Sequence, residues 1–436
     1  MSAVEGWITK RFDEIGKIFS GSTPSTTIRA FWNGNIVWVT PNDLSKLNAP
    51  YLRDSAKRIT EKGLTGCSAN LLPAGSIVMS SRAPIGYVAI PTVEFCTNQG
   101  CKSIQLKEDF TSEFTYYNIL FNIGKLKNLG EGTTFAEISK TALSKVELDF
   151  PSYKPEQTKI AEILSTVDRA IEQTEALIAK QQHMKTGLMQ DLLTRGIDEH
   201  GNLRSEQTHK FKDSPLGRIP VEWEVKTLRE VAHGGAQNGF FKKPELVGAG
   251  YKLINVSEIY QPFGIDTNRG SVERVDATPS DLLKYGVAEG DIFFARSSLV
   301  LVGIAHCNVI RTINEPTVFE CHVIRIRPNK EIVVPEFLAL FCQSNIARLF
   351  LMSRAKHVTM TTISQPELEA LRVPVPPTLE EQTAIIDSVL SIECTIRHAE
   401  NQKNKLSSLK TALMQDLLTG TKRVTVLLND MEAVRE

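Results

Sequence analysis

Lys185–Thr194 reads KTGLMQDLLT and Lys410–Thr419 reads KTALMQDLLT, one segment met twice at an offset of 225 residues. Carried upstream without a gap to Glu156 and Glu381, where both copies open on Glu-Gln-Thr, the alignment holds 16 identities in 39 positions. Apolar residues recur in it at a 3-4 spacing. They are Ile160, Leu164, Val167, Ile171, Ile178, Leu188 and Leu192 in the first copy, and Ile385, Val389, Ile392, Ile396, Leu413 and Leu417 in the second. This is the period of a coiled-coil seam, so the copies predict two long helices that pair through it. The seam is polar at Thr174, Gln181, Lys403 and the matched Lys185 and Lys410, a pattern that suits register-setting or a third contact rather than a long uniform zipper. Pro155 suits a first helical turn, and Thr378 with Glu381 reads as a capping box. Gly196 and Gly420 stand where each helix must stop.

The repeat reaches further upstream. Ile138-Ser139 matches Ile363-Ser364, and Leu148–Pro151 matches Val373–Pro376, at the same offset of 225. Trp7–Lys10 resembles Trp223–Lys226, Val37–Thr40 resembles Lys252–Asn255, and Gly75–Ile77 resembles Gly290–Ile292. Each copy is therefore a globular body followed by a long helix. Short β-rich runs (Ile36–Thr40, Ser76–Met79, Tyr87–Ile90, Ser103–Leu106, Asp291–Ala295, Cys321–Ile326) mix with helices at Phe114–Asn128 and Glu336–Met352, which makes the bodies α+β. The expected layout is a first body over 1–151, a central helix over 152–196, a polar extended linker over 197–220, a second body over 221–376, a C-terminal helix over 377–420 and a tail over 421–436. Val424–Leu428 in the tail reads as a strand.

Composition narrows the function. Residues 1–150 hold 16 basic and 14 acidic side chains and residues 198–376 hold 21 of each, so no basic footprint marks a strong stand-alone nucleic-acid binder. No apolar run of 18 residues and no apolar signal core occur, so no membrane span or secretory signal is expected. The 7 cysteines lack C-x-x-C spacing, which suits a reducing cytoplasm.

Phosphate-cradling G-x-x-x-x-G-K-[ST], the G-x-S-x-G elbow and Asn-Pro-Pro-aromatic are all missing. Glu224-Val-Lys226, with Asp213 upstream, has nuclease-like spacing, but Ile8-Thr-Lys10 stands at the matching place, so a surface strand is the better reading. His306-Cys307 and Cys321-His322 invite a zinc reading. Adjacent residues on a strand point to opposite faces, so each pair would offer one ligand, and no metal site is assigned. Neither is a catalytic residue.

Two variable bodies, each followed by a helix opening on Glu-Gln and closing on LMQDLLT, resemble the specificity subunit of type I restriction–modification systems. Phe211–Pro220 with Trp223 is similar to the lead-in to that family's second target-recognition domain. Ser20–Pro24, Trp38–Asp43, Ser81–Gly86 and Thr97–Gly100 resemble signatures of the first. In the second body Gln237-Asn-Gly239, Asn255-Val-Ser257 and Arg296-Ser-Ser298 stand instead. The resemblance implies two mixed α/β target-recognition domains separated by two long antiparallel helices forming a coiled coil, with pseudo-two-fold repetition. It implies a cytoplasmic, non-catalytic subunit that binds double-stranded DNA at a bipartite asymmetric site. Its partners would be two modification subunits, which methylate adenine, and restriction/translocase subunits. No cofactor would bind this chain; S-adenosylmethionine, ATP and Mg would sit on the partners.

Half-sites on one face of B-DNA lie ~34 Å apart per turn, and a 39-residue helix spans roughly 58 Å, long enough to set their spacing. Base edges are read by Arg, Asn and Gln, so Asn42, Arg82, Asn98 and Gln99 are candidates in the first body. Gln237, Asn238, Asn255, Arg296 and His357 are candidates in the second. Ser22, Thr23, Thr133 and Ser298 suit phosphates, and Thr40, Ser81, Ser257 and Ser297 complete the DNA-binding set. Each alone reads equally as a turn or cap residue. The acidic residues Glu162, Asp168, Glu172, Glu175 and Asp191 form either a solvated helix face or a docking surface for the modification subunits. Two other classes stay open. One is an enzyme, in which the purified chain alone would methylate or cut DNA. The other is a coiled-coil adaptor for protein partners, which would shift no DNA.

Overall fold

The structure, a computed structural model, describes residues 4–82, 84–130, 137–241, 243–268, 272–357 and 360–428, with backbone only at 244 and 357. The chain divides into two compact units, Met1–Ala176 with Glu400–Glu436, and Leu177–Ala399. The long helices are Lys154–Arg195 and Leu379–Leu418. Each unit therefore holds one body, the opening half of one long helix and the closing half of the other.

The two bodies share a topology. In the first, a five-stranded sheet runs in the order Gly16–Ser20, Cys101–Leu106, Ile77–Ser80, Val88–Pro91, Tyr51–Leu52. In the second the order is Gln237–Asn238, Val323–Ile326, Ile292–Ala295, Cys307–Thr312, Ile265–Asp266. A three-stranded sheet accompanies each: Trp32–Val39 lies between Arg58–Ile59 and Phe95–Thr97, and Val247–Ile254 lies between Arg274–Val275 and Thr317–Phe319. A two-stranded ladder closes each body, Trp7–Arg11 on Glu147–Pro151 and Glu224–Thr227 on Arg372–Val375.

Several expectations need correction. Each anticipated body helix is two helices. Ser112–Phe121 gives way to Ile123–Asn128 at Asn122, and Pro335–Gln343 to Asn345–Arg354 at Ser344, whose hydroxyl caps the Ala347 N–H. The linker is not simply extended: Phe211–Ser214 pairs with Gly217–Pro220 as a hairpin. Residues 425–428 are helical rather than a strand. No described helix is long and apolar enough to cross a membrane.

The helix segments run antiparallel within each unit. In the first, Lys410 pairs with Asp168 at 2.6 Å and Lys403 with Glu175 at 2.8 Å, so one number rises as the other falls. In the second, Lys185 pairs with Glu393, and Ile197 N donates to Glu381. The three seam lysines thus carry ion pairs, and Asp168 and Glu175 face them rather than away from them. Tyr117 also donates to Asp168 at 2.8 Å, and burial, then the Asp168 charge, raises the Tyr117 pKa. Apolar packing is concentrated where helix meets body. Ile160, Leu164, Leu417 and Leu418 join Phe114 and Phe150 in the first core. Their repeat mates Ile385, Val389, Leu192 and Leu193 join Trp223 and Phe337 in the second.

The shared Glu-Gln has two structural duties. Gln157 is buried; it accepts from Thr111 N and donates to the Asp109 and Pro151 carbonyls. Gln382 does the same with Val334 N and the Ile332 and Pro376 carbonyls. Each glutamine fastens a helix start to its body. The glutamate preceding each binds an arginine that follows the end of the opposite helix. Arg423 chelates Glu156 at 2.7 and 2.8 Å, and Arg204 chelates Glu381. Glu381 N is capped by Thr378, but its side chain is spent on Arg204 and Ile197 N, so the expected capping box is half made. Gly196 and Gly420 hold φ of +64° and +70°, and a Cβ there would strike Trp223 and Trp7. Only glycine takes that left-handed turn against an indole.

Glu156 has no exposed side-chain surface, so removing its arginine strands a buried carboxylate. Arg423→Ala should cost the first unit roughly 3 kcal/mol, the lower end for breaking a buried pair, read as a lower denaturation midpoint. Adding Glu156→Gln should restore most of the loss.

Candidate nucleic-acid interface

In the first body four segments far apart in sequence meet around Gly100. Ser22 N donates to Thr97 O at 2.9 Å, Asn98 N to Val39 O at 2.9 Å, and Ser81 N to Gly100 O at 2.8 Å. A Cβ on Gly100 would lie 3.0 Å from the Pro41 ring and 3.3 Å from both Arg82 Nε and Asn98 Oδ1. Ser22, Thr23, Thr40, Asn42, Ser81, Arg82, Asn98 and Gln99 are thus brought together. Asn42 and Gln99 are exposed, and Thr23 is hydrogen-bonded to Gln99. Arg82 is half-buried beside Glu137. Thr40 and Ser81 are framework residues. Thr40 donates to Asp43 in a capping box, and the buried Ser81 hydroxyl donates to Gly100 O. Thr133 lies outside the described residues.

The second body repeats these three bonds with different side chains. Phe240 N donates to Phe319 O at 2.7 Å, Glu320 N to Ile254 O at 3.0 Å, and Arg296 N to His322 O at 2.8 Å. The counterparts of Ser22 and Thr23 are therefore Phe240 and the exposed Phe241, not Gln237 and Asn238. Gln237 and Asn238 pair in the sheet with Arg325 and Ile324, and the Gln237 side chain is held by Arg325 and Lys284 O. Asn255 is a capping residue bonded to Glu258 and Glu273, and Ser257 donates to Glu258. Arg296 Nη1 donates to Cys321 O at 3.1 Å. Ser297–Ser298 and Lys356–His357 flank one strand, Thr361–Thr362, which places Ser297, Ser298 and His357 on one small sheet.

Cys321 and His322 lie in a turn rather than on a strand, so alternation does not part their side chains. The ligand atoms of Glu320, Cys321 and His322 lie within 4.8 Å of one another, and Ser297 Oγ lies 2.9 Å from His322 Nδ1. In the first body Cys101 is buried, and burial pushes its thiol up to about 12. The nuclease-like carboxylate is also spoken for: Glu224 pairs with Lys226 at 2.8 Å, and Asp213 with Arg218 at 3.4 Å.

The loop after Ser298 escaped the sequence reading. Its run Leu299-Val-Leu-Val302 was legible as four apolar residues, but nothing in the sequence said that they stand in solvent. They do, 50% to 81% exposed. Arg348 donates to the carbonyls of Val302 and Ile304 at 2.7 and 2.5 Å, and Tyr260 to that of Gly303 at 2.7 Å. His306 stacks flat on Tyr260 at 4.8 Å. Burial, then the Arg348 charge, lowers the His306 pKa.

A family model described as type I restriction modification DNA specificity domain matches residues 4–180 and 220–408. The MjaIX type I restriction enzyme specificity subunit of Methanocaldococcus jannaschii is 37% identical over 52% of this chain and 51% of its own length, so the match spans about half of that relative. The MjaVIII specificity subunit of the same organism is 25% identical over 96% of this chain and 94% of its own. The solved S subunit of a type I restriction–modification system from M. genitalium aligns with a TM-score of 0.55 at 17% identity, over 96% of this chain and 97% of that one. A chain from a structure on complex assembly and conformational transition of the type I system aligns at 0.57 and 15% identity, over 95% and 98%. These two structures share the fold.

The lowered His306 pKa has a sign. The unfolded imidazole takes up a proton near the ordinary ~6.5 while the folded one resists it. The stability from neutral His306 is therefore present above that pH and lost as the pH falls below it. Denaturation midpoints of the full chain should fall between pH 7 and pH 5, and His306→Phe, which keeps the ring on Tyr260, should make that fall smaller.

Proposed function

The chain belongs to the type I restriction modification DNA specificity family, and we propose that its two bodies each read one half of a split, asymmetric duplex site. It is a specificity subunit, without catalysis of its own. The observation that carries the reading is duplication with divergence. Three backbone hydrogen bonds hold the same loops together in both bodies, while the side chains on those loops differ. One scaffold with two sets of side chains is what two different half-sites require.

Asn42 and Gln99, which are exposed, and the half-buried Arg82 beside them are the base- or phosphate-facing candidates in the first body; Arg296, Ser298 and His357, on or beside the loop that corresponds to Ser81–Arg82, are those in the second. Ser22, Thr23, Asn98 and Ser297 position the loops that carry them. Thr40, Ser81, Gln237, Asn238, Asn255 and Ser257 build the framework. The balanced charge of the chain gives little non-specific attraction for phosphates, so two modification subunits supply much of it as well as the adenine methylation. They, and the restriction/translocase subunits, bring S-adenosylmethionine, ATP and Mg, and the assembly works in the cytoplasm.

The paired helices set the gap between half-sites. Inserting four residues in register after both Ala176 and Ala399 adds about 6 Å of helix, roughly two base pairs at ~3.4 Å each. Mapping N6-methyladenine in DNA from cells carrying the chain and its modification subunit should give one split motif. The insertion should lengthen its gap and leave both half-sites unchanged. A change of base identity, or methylation without a split motif, would overturn the reading.

A further inference from the structure

The loop Leu299–Val302 sets the two bodies apart. Between Ile77–Ser80 and Val88–Pro91 of the first body lie seven residues; between Ile292–Ala295 and Cys307–Thr312 of the second lie eleven. In the shorter loop Ile85 turns inward and packs on the core. In the longer one Leu299, Val300, Leu301 and Val302 are 81%, 57%, 50% and 72% exposed. Solvent-facing aliphatic clusters of this kind mark contact sites. This one is not slack chain, because Arg348 and Tyr260 hold the carbonyls of Val302, Gly303 and Ile304. Gly303 leaves no room for a Cβ between Ser298 Oγ and Tyr260 Oη.

We propose that Leu299–Val302 is a base-reading tip of the second body that packs against thymine C5-methyl groups in the major groove. This rests on the reading of the chain as a duplex-binding specificity subunit. Three observations choose DNA over a protein partner. The tip follows directly on Arg296-Ser297-Ser298, at the place where Ser81 and Arg82 stand in the first body. Arg296 N and Ser81 N make the same framework bond, to His322 O and Gly100 O. And among the described residues the tip occurs in one body only. A modification subunit bound once to each body would need a surface that both bodies share, whereas a half-site reader needs one that differs. An aliphatic side chain reads a single major-groove feature well, the thymine methyl.

The test uses the full chain with its modification subunit and a duplex carrying the mapped split site. Each thymine of both half-sites, on either strand, is replaced singly by uracil, which removes only the methyl. In one half-site, one or two replacements should weaken binding about three- to fivefold, the scale of one buried methyl group. Leu299→Ser with Val302→Ser should weaken binding to the thymine duplex by a similar factor and abolish the thymine–uracil difference, with an unchanged denaturation midpoint. The proposal is overturned if the variant still distinguishes thymine from uracil, if it binds as the parent does, or if it loses the modification subunit instead. A parent complex that prefers no duplex sequence would overturn the specificity reading itself, and shows before any variant is made.

Discussion

A buried carboxylate at the start of each long helix governs this architecture. Glu156 and Glu381 are held by Arg423 and Arg204, residues that follow the end of the opposite helix. A charge in a protein interior is tolerated only when paired and hydrogen-bonded. Neither body can therefore bury its helix start until the closing half of the other helix has arrived. The glycine at that closing end turns left-handed under the body's tryptophan, which leaves the arginine where it can reach back. The 225-residue repeat is in this sense a pair of reciprocal requirements: each copy supplies the arginine that the other copy's glutamate needs.

The helix pairing divides its labour along the seam. Near the bodies it is apolar and continuous with the cores, through Ile160, Leu164 and Leu417 in one unit and Ile385, Val389 and Leu192 in the other. Away from the bodies it relies on lysine–carboxylate pairs, and seam residues such as Ile171 and Ile178 are only half-buried. Half-exposed ion pairs add little stability, but a misaligned register would set lysine against leucine. Asp168–Lys410 and Lys185–Glu393 are repeat mates, so one choice of register is written twice.

Much of this was legible in the sequence, and the reason is periodicity. The helices, their glycine stops, the tryptophan that opens each body and the shared order of elements in the two bodies all announce themselves by repeat spacing. What was not legible depends on who the partner is. Thr40 and Asn255 carry groups that could touch a base, yet the Thr40 hydroxyl is spent on Asp43 and the Asn255 amide on Glu273. Gln237 matches a base reader by type but lies in a strand beside Arg325. Asp168 and Glu175 are outward-facing by helical count and inward-facing by partner, because a lysine stem reaches across the seam. Helix breaks at Asn122 and Ser344 were hidden because apolar residues continue through both.

The division between backbone and side chain on the loops around Gly100 and His322 is the step that lets one fold present different chemistry. Bonds from main-chain N–H to main-chain carbonyl make no demand on residue type, so they persist when every side chain around them changes. Ser81 and Arg296 share one such bond and nothing else, and Asn98 and Glu320 share another. Loops fastened in this way can vary in length and chemistry without loosening the sheet beneath them. The second body uses that freedom with four added aliphatic residues over a bracing arginine, the first with a short loop folded onto its own core. Diversity of contact is cheap here because the geometry that presents it does not depend on the residues presented.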